Sequence, residues 1–126
     1  MVKAMRKILV VDDEIIIRDL LEDFLSRKGY DVYTASDGRA AIAEVKEIKP
    51  HIVLLDIMMP GMDGIDTLEE IRRIDPRVGV IMITGVLDEK LGKRAMKLGA
   101  FDYITKPLDL AYLETAVMVK MLQVLD

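Results

Sequence analysis

Ile52-Val53-Leu54-Leu55-Asp56-Ile57-Met58-Met59-Pro60-Gly61-Met62-Asp63-Gly64 is an apolar run, one acid and a Pro/Gly-rich loop. No polar residue alternates within 52–55, which reads as a strand buried on both faces. Asp56 then stands at the mouth of that strand with a turn-forming segment behind it. The same kind of ending recurs along the chain. Lys7-Ile8-Leu9-Val10-Val11 runs into Asp12-Asp13, the run 80–83 ends at Thr84, and the run 101–104 leads to Lys106-Pro107. Acids, a hydroxyl and an amine all fall at strand ends.

Between these runs the apolar period changes to that of helices. Ile17, Leu20, Leu21, Phe24 and Leu25 recur at i, i+3, i+4 spacing, and Gly29 stops them. A weaker strand follows at 32–35, and Asp37-Gly38 opens a second helix carrying Ala41, Ile42 and Val45, ended by Lys49-Pro50. Ile65, Leu68 and Ile71 mark a third helix, which must stop before Pro76 because proline disfavours αR at Asp75. A fourth, near 88–98, has Leu91, Ala95 and Leu98 as its core stripe, and a fifth starts at Asp109. Five strands alternating with five helices predict a doubly wound parallel sheet covered on both faces. In such sheets ligands bind at the carboxyl ends of the strands, where the flagged residues lie.

The totals bound the function. A chain of 126 residues with no repeat or linker is read as one domain, spanning 1–126. A net charge of −4 argues against general nucleic-acid affinity, and no stretch is long and apolar enough to span a bilayer. The basic start, Met1 to Lys7, precedes an apolar stretch too short for a signal peptide, so a cytoplasmic location is the expectation. The absence of cysteine excludes disulfides, thiolate metal sites and cysteine nucleophiles, and a single histidine excludes a histidine-rich metal site.

Each flagged residue has a plain reading. Asp12-Asp13-Glu14 could cap a helix, Asp56 could serve a turn, Thr84 could simply finish a strand, and Lys106 could be a solvated surface lysine. Together they ask for more. Asp12, Asp13 and Asp56 at one sheet edge repel one another unless a cation or amine intervenes, and a hard divalent ion such as Mg²⁺ accounts for them economically. Lys106 at the neighbouring strand mouth could reach the acids, and a cis Lys106–Pro107 peptide would turn the chain there.

The set Asp12-Asp13-Glu14, Asp56 with its Met58-Met59-Pro60-Gly61 loop, Thr84-Gly85 and Lys106-Pro107 resembles the receiver domains of two-component response regulators. The resemblance runs from Lys7 to about Leu122 and implies a flavodoxin-like fold with strand order 2-1-3-4-5. It also implies roles. Asp56 would accept a phosphoryl group from a sensor histidine kinase or phosphotransfer protein. Asp13, Asp56 and the Met58 carbonyl would ligate Mg²⁺, with Asp12 acting through water. Lys106 and Thr84 would hold the phosphoryl oxygens, and Thr84 with Tyr103 would switch the surface of the fourth helix, fifth strand and fifth helix that a downstream effector or output domain reads. Tyr103 could equally be an aromatic packed under a helix. Such a module catalyses its own phosphorylation and dephosphorylation but has no external substrate.

Three positions depart from the family pattern. Gly85 stands where alanine or serine is usual, and Met58 and Val86 are apolar where fast-hydrolysing members carry polar groups, so slow loss of the phosphoryl group is expected. The last helix is too apolar for one core-facing stripe: beyond Leu110, Leu113, Val117, Met121 and Val124 it carries Met118, Val119, Leu122 and Leu125. Either a frayed helix end or a partner surface accounts for them, including a homodimer through this helix. Lys90, Lys93, Arg94 and Lys97 make the fourth helix basic, as a solvated face or for an acidic partner.

Competing functions fit less well. A haloacid-dehalogenase-type phosphatase needs a second aspartate where Met58 stands, its nucleophile after the first strand, and a cap. A flavodoxin-like FMN carrier needs a Gly/Ser/Thr-rich first loop rather than Asp12-Asp13-Glu14. A phosphorylation-independent receiver-like adaptor would not need the complete set of site residues. Cognate kinase, pathway, and whether the chain stands alone or is part of a longer regulator are not encoded in these motifs.

Overall fold

The structure, a computed structural model, describes residues 6–85 and 88–125. Val86, one of the family departures above, and residues 1–5 of the basic N-terminal stretch lie outside the described residues. Five strands, β1 (Lys7–Val11), β2 (Asp31–Ala35), β3 (Ile52–Asp56), β4 (Gly79–Thr84) and β5 (Asp102–Thr105), form one parallel sheet in the order β2-β1-β3-β4-β5. Five helices alternate with them: α1 (Ile15–Arg27), α2 (Gly38–Ile48), α3 (Gly64–Ile74), α4 (Glu89–Lys97) and α5 (Leu110–Val124). The fold is flavodoxin-like, as expected. No described helix is long and apolar enough to cross a membrane.

Alternation along each central strand splits the core in two. Leu9, Val11, Val53, Leu55, Val80 and Met82 face one side, with α2, α3 and part of α4. Ile8, Val10, Ile52, Leu54, Ile81 and Ile83 face the other, with α1 and α5. Every residue of β3 and β4 is buried, which is why those runs carry no alternation to read.

Strand reversal occurs between β1 and β3, whose crossovers go to opposite faces, and the cleft this leaves lies beyond Val11 and Asp56. Two glycines allow the loops behind it to close. A Cβ on Gly64 would lie 2.3 Å from the Asp56 carbonyl oxygen and 2.5 Å from Ile57 Cα, so the start of α3 sits directly on the β3 terminus. A Cβ on Gly38 would lie 2.3 Å from Thr67 Oγ1, which lets α2 meet α3 equally closely.

Candidate functional site

Asp12 and Asp56 leave the carboxyl ends of adjacent strands and turn inward; they are 2% and 3% exposed, whereas Asp13 is exposed. One carboxylate oxygen from each of Asp12, Asp13 and Asp56 lies within 4.8 Å of the others. Lys106 reaches them from beyond β5. Its Nζ stands 3.0 Å from Asp12 Oδ2, 3.3 Å from Glu14 Oε1 and 3.6 Å from Asp56 Oδ2. The Lys106 N–H donates to the Thr84 carbonyl at 2.7 Å, and the Lys106–Pro107 peptide is cis.

Asp12 and Asp13 are not the cap of α1. Glu14 occupies the N-cap position and makes no side-chain cap bond, its carboxylate being turned to Lys106. Asp12 Oδ1 accepts the Glu14 N–H at 2.9 Å, and Arg18 Nη1 donates to the Asp12 carbonyl at 2.7 Å. Both contacts fix the loop so that Asp12 points at Lys106 rather than along the helix. The sequence placed Glu14 beside the site without its contact to Lys106, and gave Arg18 no part in it. Their only signal was a charge at i+2 and i+6 from Asp12, which is ordinary for an exposed helix.

The electrostatics are unbalanced. The Asp56 carboxyl is pushed up to about 6 by burial and by the Asp12 charge; Lys106 and the Met58 N–H, 3.2 Å from Asp56 Oδ1, pull it back, and Asp13 adds to the rise. Burial opposes the Lys106 charge, but Asp12, Asp56 and Glu14 outweigh it and hold the ammonium above the ordinary lysine value. One ammonium therefore does not neutralise the carboxylates packed around it. An all-oxygen donor set with surplus negative charge fits a hard divalent cation.

Thr84 is fully buried at the end of β4, and Asp56 pairs in register with Ile83 just before it. Tyr103 is half-buried on β5, its ring against Gly92 of α4 and its hydroxyl hydrogen-bonded with the backbone of Asp88. Met58 is 55% exposed, so the loop turns its side chain to solvent.

The fold and this carboxyl-end cluster together define a class, the receiver module of signalling switches rather than of enzymes with external substrates. The family model described as "Response regulator receiver domain" matches residues 8–118, and the chain belongs to that family. Regulatory protein AtoC of Escherichia coli is 40% identical over 114 residues, which are 90% of this chain and 25% of AtoC, so the chain spans a quarter of that relative's length. Chemotaxis protein CheY of Thermotoga maritima is 41% identical over 103 residues, 81% of this chain and 86% of that protein. A CheY-like receiver domain protein from Methanospirillum hungatei has a TM-score of 0.92 at 28% identity, covering 94% of this chain and 95% of that one. The CheX–CheY–BeF3–Mg²⁺ complex from Borrelia burgdorferi has a TM-score of 0.86 at 37% identity, covering 90% of this chain and 87% of that one. Receiver domains bind Mg²⁺ at an acidic pocket and work with histidine kinases and output domains.

Proposed function

We propose that this receiver domain is a phosphorylation-controlled switch whose acceptor is Asp56 and whose unit is the single domain 1–126. A carboxylate oxygen of Asp56 forms a bond to the phosphorus of a phosphohistidine on a sensor kinase or phosphotransfer protein. The P–N bond breaks as it forms, its electron pair stays on the imidazole, and the product is an acyl phosphate. The obstacle is charge, since a carboxylate must approach an anionic phosphoryl group. Lys106 offsets this from one side, already held among Asp12, Glu14 and Asp56. Asp13, Asp56 and the Met58 carbonyl, with Asp12 through water, would hold Mg²⁺, which when bound neutralises charge shared by nucleophile and phosphoryl oxygens. The Borrelia complex, which contains Mg²⁺ and BeF3, supports that assignment by likeness.

Thr84 then donates its hydroxyl to the new group, and Tyr103 changes its seat against α4. The face of α4, β5 and α5 carries the change to a downstream effector or output domain. Cytoplasmic action belongs to this reading. The observation that carries it is the meeting of Asp12, Asp13, Asp56 and Lys106 at one strand edge.

Incubation with Mg²⁺ and acetyl phosphate, followed by intact-mass spectrometry, tests it. One phosphoryl adduct is expected, absent in Asp56→Asn and suppressed by chelating the metal. A chain that stays unmodified by acetyl phosphate and by phosphorylated kinases would instead be an adaptor.

A further inference from the structure

Asp12 is held at every polar group it has. Its N–H donates to the Ala35 carbonyl at 3.2 Å, Oδ1 accepts the Glu14 N–H at 2.9 Å and Oδ2 accepts Lys106 Nζ at 3.0 Å. The fourth group is its carbonyl, to which Arg18 Nη1 donates at 2.7 Å. That choice of acceptor is unusual. Three carboxylates crowd the same edge, yet the half-buried guanidinium is aimed at a neutral oxygen and makes no ion pair among the described residues. Its base is firm, because the Arg18 N–H is bonded to the Glu14 carbonyl in the first turn of α1.

The consequence falls on Asp13. The Asp12 carbonyl belongs to the rigid peptide plane that enters Asp13, and the Glu14 N–H belongs to the plane that leaves it. Arg18 pins the first plane and Asp12 Oδ1 pins the second. Asp13 needs both pins: Asp12 and Asp56 are buried in place, whereas Asp13 is exposed and repelled by the pair of them. We propose that Arg18 is a positioning residue of the divalent-cation site, setting Mg²⁺ affinity through the aim of Asp13 while touching neither metal nor phosphoryl group. This rests on the metal reading given above. Residues that orient metal ligands commonly govern affinity by about 10- to 100-fold. A role through charge has the opposite sign, since a cation beside the site repels Mg²⁺ and its removal would tighten binding.

Calorimetric titration of the whole chain with Mg²⁺ separates the two. Arg18→Met should weaken binding by about tenfold or more, and in an Asp13→Asn background the same change should cost far less. Arg18→Lys keeps the stem and the charge but not the planar fork; it should move the same way by less, and stands in if Arg18→Met does not fold. In phosphorylation by acetyl phosphate, the Mg²⁺ needed for half-maximal rate should rise, while the rate at saturating Mg²⁺ stays within about threefold of wild type. Wild type that takes up no Mg²⁺ at millimolar concentration would overturn the metal reading and this inference with it. Wild type that binds, with equal or tighter binding in the Arg18 variants, would overturn this inference alone. So would additive effects of Arg18→Met and Asp13→Asn, or a maximal rate that falls with no change in Mg²⁺ dependence.

Discussion

Asp56 is a carboxylate held where ionisation is costly. Its pKa near 6, against 3.8 unperturbed, means that the folded state holds a proton the unfolded chain releases, so stability falls as pH rises between those values. Above about pH 6 the full cost is present, on the order of 2–3 kcal/mol. Asp56→Asn removes it. The variant should melt several degrees above wild type near neutral pH in metal-free buffer, with the gain vanishing below the unperturbed value, and Mg²⁺ should narrow the gap by stabilising wild type. Equal melting curves at neutral pH would mean that Asp56 is not strained. Met58 bears on the next event. Its exposed thioether cannot orient a water, so Met58→Asn should shorten the lifetime of the phosphorylated form by up to about tenfold; an unchanged lifetime contradicts this. At this scale Asp12, Asp56, Thr84 and Lys106 were legible because each interrupts an apolar run at its end. The contacts of Glu14 and Arg18 were not, because only the packed β1–α1 loop brings these side chains to Lys106 and to the Asp12 carbonyl.

Helices here are set largely by their first residues. Asp37, Asp63, Asp88 and Asp109 each accept backbone N–H groups as N-caps, of which Asp37 and Asp109 were read from the sequence as helix starts. α1 is the exception, since Glu14 is engaged with Lys106 and leaves the cap without a side-chain bond. The expected stripe of α4 packs as predicted but shallowly: Ala95 is buried, while Leu91 and Leu98 are partly buried against the same core cluster. With nine residues and Gly92 in its middle the helix leans on its cap, where Asp88 Oδ1 accepts from Lys90 and Leu91 at 2.9 and 3.2 Å. Asp88→Ala should cost about 1 kcal/mol locally and speed amide exchange through residues 89–97 while β3 and β4 stay protected. Exchange rising equally across the sheet would refute that division.

Across the whole molecule the sheet has two unlike edges. The carboxyl edge gathers charge, whereas at the amino edge β1 and β3 are clamped by His51: its Nδ1 accepts the Lys7 N–H at 3.0 Å, and its own N–H donates to the Lys7 carbonyl at 2.9 Å. Burial, then Lys7 and Arg6, lower the His51 pKa, so the fold prefers the neutral ring. That preference stabilises the protein above the unfolded value of 6.5 and is lost as pH falls below it. Between about pH 7.5 and about pH 5.5 the urea midpoint of wild type should drop more than that of His51→Asn, whose amide can accept without titrating; parallel curves would refute the clamp. Class and element order were readable from the alternation of periods, while the strand order came only through the family resemblance, since apolar runs do not state their neighbours. The central claim, that one of three crowded aspartates is the acceptor, has a direct measurement. After reaction with acetyl phosphate and Mg²⁺, borohydride trapping and peptide mass spectrometry locate the acyl phosphate. Modification at Asp56 alone is predicted; modification at Asp12 or Asp13, or at none of the three, would contradict it.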